Sequence, residues 1–389
     1  MNRRIGVLAL SGLMPLTLAL AACGSGGTSG SDTYKIGLID NSGGAFASNN
    51  KTAIAGAEYA VKQINDAGGI NGKKVQITST VDDQGEVKNG TTLVPKLAQQ
   101  NVMAIVGPVD SGATEIAYAI AKQLKIPAVS PGAGRPGVMD SSRPFGFTLA
   151  EADADVSTPA LEQIVKDQGI KTAAIIGDNV TATTKTQIPL FEGVFKNTGV
   201  QIVSRTSFKT GDSSFASQVT QMASAKPDVI ALAAGPDDAG RIAREIKSQG
   251  LHVKLLGTSA LQSGGAAYVK AGGDATDGTF SAAQYDPTNP DEPAKGLLAG
   301  AQKASGQAEI PLNYAYAYDA VNMIVQVIKE KGIKPGDNVA TARAAIQKGL
   351  AALKTYDGMA GKTTFKQDGT GDRPTLVAVL KNGEFQIQH

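Results

Sequence analysis

Apolar positions fall in two rhythms along the chain: short runs bounded by turn residues, and longer stretches with helical spacing. YKIGLID (34–40) reads as a first strand. Over 51–66, Ile54, Ala57, Val61 and Ile64 recur every three or four residues, which predicts a helix stopped by Gly68 and Gly69. KKVQITSTVDD (73–83) alternates as a strand, 86–99 is helical, and VMAIVGP (102–108) is a short buried run. A helix over 112–124 leads into the strand and loop IPAVSPG (126–132). Strands alternating with helices in this order predict a parallel sheet covered on both faces.

The rhythm restarts after FGFTLAEADAD (145–155). Helices are predicted over 156–168, 185–197, 212–225 and 238–249, and strands over 172–178, 200–208, 227–235, 253–261 and 278–286. The result is two α/β units of similar size. A long helix over 314–332 and another over 340–349 come next, then a turn at Gly358–Gly361. Residues 363–386 read as short strands with turns at Asp368-Gly369 and Asn382-Gly383, an antiparallel addition.

The first residues follow neither rhythm. Arg3 and Arg4 precede a nearly continuous apolar run over 5–22, interrupted by Pro15. That fits a cleaved secretory leader (1–22) better than a single transmembrane anchor, the other reading. Leu20-Ala21-Ala22-Cys23 resembles the lipobox of bacterial lipoproteins, in which the thiol takes a diacylglycerol and the chain is cut just before it. Cys23 is the only cysteine, as in an exported protein without disulfides. Lipid on Cys23 would hold the protein at the extracytoplasmic face of the cell membrane, periplasmic or cell-surface, with 23–33 as a flexible tether.

Length and charge narrow the picture further. Cutting before Cys23 leaves 367 of 389 residues, more than one ordinary core and enough for two lobes. The formal net charge of +2 is carried by Arg3 and Arg4, so the remainder is neutral. No basic stripe marks a nucleic-acid partner. The two histidines, His252 and His389, have no partner at metal-ligand spacing. No nucleophile elbow, dinucleotide fingerprint or phosphate loop is present. An enzyme is not expected, nor a cofactor.

A family resemblance emerges from the motifs taken in order. Gly56-Ala57, then Ile64-Asn65 with Gly68-Gly69-Ile70 and Gly72, precede Asp82-Asp83. VGPVDSG (106–112), IPAVSPGAGRP (126–136), Tyr285-Asp286-Pro287 and Ala315-Tyr316 with Tyr318-Asp319-Ala320 follow. Together, over 34–386, they resemble the solute-binding proteins of branched-chain amino acid ABC importers, the Leu/Ile/Val-binding type. The resemblance implies an α/β, two-lobed type I periplasmic-binding-protein clamshell, each lobe a parallel-sheet α/β sandwich, with three hinge crossovers. Lobe 1 is expected at 34–151 plus 284–356, and lobe 2 at 152–283 plus 357–389. It further implies a monomer that captures a small molecule between the lobes and hands it to an ABC permease and ATPase subunits. A receptor accessory that reports a solute uses the same clamshell.

The resemblance also points to a site. Ser111 would donate to a ligand carboxylate, either in addition to or instead of capping its helix, and the N–H groups of Gly132 and Gly134 would point inward. Asp110 either caps the helix or accepts from the ligand. The acid that pairs with the ligand ammonium in the amino-acid binders is replaced by Ser259, and three aromatic positions by Asn49, Ala182 and Gly235. Phe46 could stand in for the first ring. Asp237 or Asp238 could supply the missing acid if it turns inward, or both could be caps. Tyr285 is expected to face the ligand and Tyr316 to pack within the first lobe.

Overall fold

The structure is a computed structural model that describes residues 33–41, 43–82 and 89–388. The leader, Cys23, the tether up to residue 32, Asp83 and His389 lie outside those residues. A first sheet has the order β2 (Lys74–Asp82), β1 (Thr33–Asn41), β3 (Ala104–Val106), β4 (Ala128–Ser130), β5 (Gly146–Thr148), all parallel. Successive side chains of a strand point to opposite faces. Ile36 and Leu38 of β1 therefore pack with α1 (Ala47–Asp66), α10 (Ala294–Ser305), α11 (Leu312–Glu330) and α12 (Val339–Ala352). Ile39 packs on the other face with α2 (Gly90–Gln99) and α3 (Ser111–Gln123). Burial on both faces explains why β3 and β4 are apolar runs, whereas β2, at the sheet edge and partly exposed, alternates.

The second sheet has seven strands in the order β15 (Glu384–Gln388), β14 (Leu376–Lys381), β10 (Phe280–Ala283), β9 (Lys254–Gly257), β8 (Val229–Ala233), β6 (Thr172–Asp178), β7 (Gln201–Phe208). Helices α4 (Asp153–Asp167) and α5 (Ala182–Thr198) cover one face. Helices α6 (Ala216–Ser224), α7 (Pro236–Ser248) and α9 (Gly265–Gly272) cover the other. The tail adds to the sheet as an antiparallel hairpin, β14–β15. Its turn places Asn382 (φ 53°) and Gly383 (φ 85°) in the left-handed region that a two-residue hairpin needs.

Several elements differ from their expected extents. Helix α4 starts at Asp153, before the expected 156, because Asp153 and Asp155 form its polar first turn and carry no apolar signal. The stretch 253–261 divides into β9 and the short helix α8 (Ser259–Ser263). Helix α10 is absent from the sequence reading because its buried stripe is mostly alanine.

The largest difference is at the third return of the chain. β11 (Thr355–Gly358), β12 (Gly361–Phe365) and β13 (Gly371–Asp372) form a small antiparallel sheet, with Met359 and Ala360 in the first-lobe core. The Asp319 carboxylate of α11 holds its turn by accepting from the N–H groups of Met359 (2.7 Å) and Ala360 (3.0 Å). The Thr148 N–H donates to Gly369 (2.9 Å) and the Gly371 N–H to Ala150 (3.1 Å). The chain thus joins the second sheet after Asp372 and not from 357. It passes between the sheets three times, after β5, after β10 and after β13.

Candidate functional site

A cleft lies between the two lobes, at the carboxyl ends of β3, β4 and β9. First-lobe residues Phe46, Asn49, Asp110, Ser111, Gly132, Gly134 and Arg135 line one side, and Asp153, Thr186, Ser259, Ala260 and Ser263 the other. Glu151, Gln284, Asn313 and Tyr316 also line it.

The first-lobe wall is two loops fixed by hydrogen bonds. Asp110 caps α3, its Oδ1 accepting from the Ala113 N–H at 2.9 Å. Asn50 Oδ1 accepts from the Val109 N–H (3.0 Å) and Ser130 Oγ donates to the Pro108 carbonyl (2.7 Å). Ser111 is buried at the head of α3, and its Oγ accepts from the Arg135 N–H at 3.1 Å. That leaves its own proton available to an acceptor in the cleft. Gly132 lines the cleft, but its N–H does not serve as expected: it donates to Ser130 Oγ (3.3 Å), as does that of Ala133 (3.0 Å). Gly134 is needed for close approach, since a Cβ there would lie 2.7 Å from the Glu151 carbonyl oxygen.

The opposite wall holds an acid that the sequence reading missed. Asp153 is the first residue of α4, and its Oδ1 accepts from Ser259 Oγ (2.6 Å) and Ser157 Oγ (2.8 Å). Ser157 Oγ in turn accepts from the Ser259 N–H at 3.1 Å. Burial pushes the Asp153 carboxyl up from its ordinary range, opposed by the two serine hydroxyls. The Asp153 N–H donates across the cleft to the Gly134 carbonyl at 2.6 Å. Ser259 therefore holds an acid of another element, Asp153, in place. An acid in the first turn of a helix reads in sequence as an ordinary cap, which hid Asp153.

Neither expected substitute for the acid turns inward. Asp237 is exposed and accepts from Ser48 Oγ of the first lobe at 3.0 Å, while Asp238 pairs with Arg241 one turn along α7. Gly235 is not a lining residue, because its backbone backs onto the Ala45 carbonyl. Ala182 opens α5, and its side chain is outside the described set. Tyr285 is buried in the first-lobe core and not in the cleft, whereas Tyr316 packs in that core as expected and also borders the cleft. The Tyr316 hydroxyl donates to Gln284 Oε1 (2.9 Å), and the Arg373 guanidinium sits 5.0 Å over its ring.

The cleft floor joins the crossovers. Glu151, on the first, accepts from the Arg373 N–H of the third at 3.3 Å and lies 3.5 Å from Lys366 Nζ. Burial raises its carboxyl, opposed by the Arg373 N–H and the Lys366 charge. Among the described residues no group of three His, Cys, Asp or Glu is placed to hold a metal ion. None of the described helices is long and apolar enough to cross a membrane.

Residues 33–384 match the family described as periplasmic binding protein. This chain belongs to the periplasmic binding protein family. It is 27% identical over 342 residues to Leu/Ile/Val-binding protein homolog 3 of Brucella melitensis, covering 88% of this chain and 89% of the relative. It is 24% identical over 397 residues to the leucine-, isoleucine-, valine-, threonine-, and alanine-binding protein of Pseudomonas aeruginosa, covering 100% and 95%. The fold superposes on the branched-chain amino acid transporter substrate-binding protein LivJ of Streptococcus pneumoniae, solved with isoleucine, with TM-score 0.80 at 24% identity, covering 92% of this chain and 100% of that one. An ABC transporter solute-binding protein from R. palustris, solved with benzoate, gives TM-score 0.79 at 20% identity, covering 91% and 95%. Periplasmic binding proteins hold solutes outside the cytoplasm and are not enzymes.

Proposed function

We propose that this periplasmic binding protein captures a small amino-acid-like solute between its lobes and delivers it to an ABC importer, while lipid on Cys23 keeps it at the membrane. The observation that carries the reading is the Asp153–Ser259–Ser157 arrangement facing Ser111 across the cleft. A ligand carboxylate accepts a hydrogen bond from the Ser111 hydroxyl of the first lobe, and a ligand ammonium donates to the Asp153 carboxylate of the second. Ser259 is a positioning residue that holds Asp153. Phe46, Val109 and Leu312 supply apolar contact. Since the two charged ends are read by different lobes, a zwitterion binds fully only when the lobes are closed, and ligand shifts the population toward closure. The Leu/Ile/Val-binding names of the relatives support an amino-acid ligand.

The test is isothermal titration calorimetry on the full chain in detergent, stripped of ligand by partial unfolding and refolding. The titrants are amino acids, amides, aliphatic and aromatic acids, and sugars. Saturable binding of an α-amino acid is expected, weakened at least about tenfold by Asp153→Asn, since a hydrogen bond to a charged group contributes about 1.5–3 kcal/mol. Binding confined to neutral or purely anionic solutes would overturn the reading. For the anchor, Cys23→Ser should move the protein from the membrane fraction to the soluble fraction; retention in membranes would instead indicate an uncleaved apolar leader.

A further inference from the structure

Two donors on the cleft wall are not used by the chemistry above. Asn313, the second residue of α11, is 2% exposed and lines the cleft beside Gly132. Its Nδ2 is buried and has no hydrogen-bond partner among the described residues. Arg135 also lines the cleft. Its Nη2 pairs with Glu115 and its main-chain N–H donates to Ser111, yet its Nε is buried without a partner. Most of the charged and amide groups around this wall are already engaged. Asp110 caps α3, Glu151 faces Lys366 and the Arg373 N–H, Asp153 holds its two serines, and Gln284 accepts from Tyr316.

We propose that Asn313 and Arg135 form a side-chain subsite that selects amino acids ending in an amide or carboxylate oxygen over branched aliphatic ones. This rests on the amino-acid reading of the cleft. A buried donor left without an acceptor is costly, and an aliphatic side chain lying against it keeps it unpaired. A ligand oxygen at the same place removes that penalty, so the site discriminates by the donors it would otherwise strand. The amide of Asn49, which lines the cleft where the resemblance implies an aromatic ring, is in line with the same preference, because a large aliphatic side chain loses ring surface to pack on.

The experiment titrates the full chain in detergent with glutamine, glutamate, leucine and methionine, before and after Asn313→Leu and Asn313→Asp. Wild type should bind glutamine or glutamate at least about tenfold more tightly than leucine or methionine, and Asn313→Leu should bring the ratio to about one or invert it. Asn313→Asp keeps the size but removes the donor, and should weaken glutamate more than glutamine; it also serves if the leucine variant fails to fold. Leucine binding as tightly as both oxygen-ended ligands overturns this proposal alone and leaves the amino-acid reading standing. A ratio unchanged in the folded variants does the same. If no amino acid binds while another solute class does, the amino-acid reading fails and this subsite falls with it.

Discussion

Ser111 and Asp153 show how differently two site residues announce themselves. Ser111 opens a helix after a glycine-containing loop, a pattern that sequence alone marks as a place where an anion meets unpaired N–H groups. Asp153 sits in the same kind of position on α4, but its role comes from Ser157, one turn along, and Ser259, more than a hundred residues away. No local pattern encodes the second contact. Ser111→Ala should weaken binding of a carboxylate ligand about tenfold, the scale of one hydrogen bond to a charged group, with the melting temperature of the ligand-free protein little changed. Calorimetry on the variant checks this, and an unaltered affinity would leave Ser111 with only its bond to the Arg135 N–H. Asp237, in the first turn of α7, meets Ser48, and Tyr285 packs in the first-lobe core, because a first-turn acid and a core tyrosine carry the same sequence signature as site residues.

Among the elements, α11 bears the most constraints. It crosses α1 so closely that a Cβ on Gly56 would collide with the Tyr314 carbonyl. Gly56→Ala should therefore destabilise the fold by about 1–3 kcal/mol, the usual cost of overpacking, and lower the thermal midpoint by several degrees; an unchanged midpoint would mean the helices part without penalty. On the same helix, burial lifts Asp319 from 3.8 to about 7, against the two N–H donors of the β11–β12 turn and the nearby Arg373 charge. A carboxyl that holds its proton more tightly folded than unfolded stabilises the fold most below its ordinary value. That contribution declines as pH rises through about 7 and is flat above it. Denaturant melts at about pH 5 and about pH 8 should show this slope in the wild type and a shallower one in Asp319→Asn. Equal slopes would place the titration elsewhere. The apolar runs and helical spacing made the large elements legible, whereas the alanine-rich α10 and the polar start of α4 were not, since neither presents enough apolar contrast.

At the scale of the whole molecule, contacts spanning the two lobes describe a closed arrangement. Ser48 Oγ donates to Asp237 (3.0 Å), and the Asp153 N–H donates to the Gly134 carbonyl (2.6 Å). The first is exposed and contributes about 0.5–1 kcal/mol. Asp237→Ala should therefore weaken ligand binding about two- to fivefold and raise the radius of gyration of the ligand-free protein in solution scattering. If neither changes, the contact is incidental to closure. Glu151, Gln284 and Arg373 lie on or beside the three crossovers and meet at the cleft floor, so ligand contacts there bear directly on the hinge.

The chain's own periodicity and turn residues determined the alternation of strands and helices, two α/β units and the hairpin at the tail, while the ordered glycine and aspartate motifs carried the family resemblance. These depend on local spacing, and local spacing is written in the sequence. Tertiary structure decided which acid faces the cleft, which tyrosine lines it, and that 355–372 stays with the first lobe. Each of those outcomes turns on a contact between residues far apart in the chain: Asp153 with Ser259, Tyr316 with Gln284, Asp319 with the N–H groups of Met359 and Ala360. A buried polar group must find a partner wherever the fold brings one, and the identity of that partner is settled only when the chain has closed on itself.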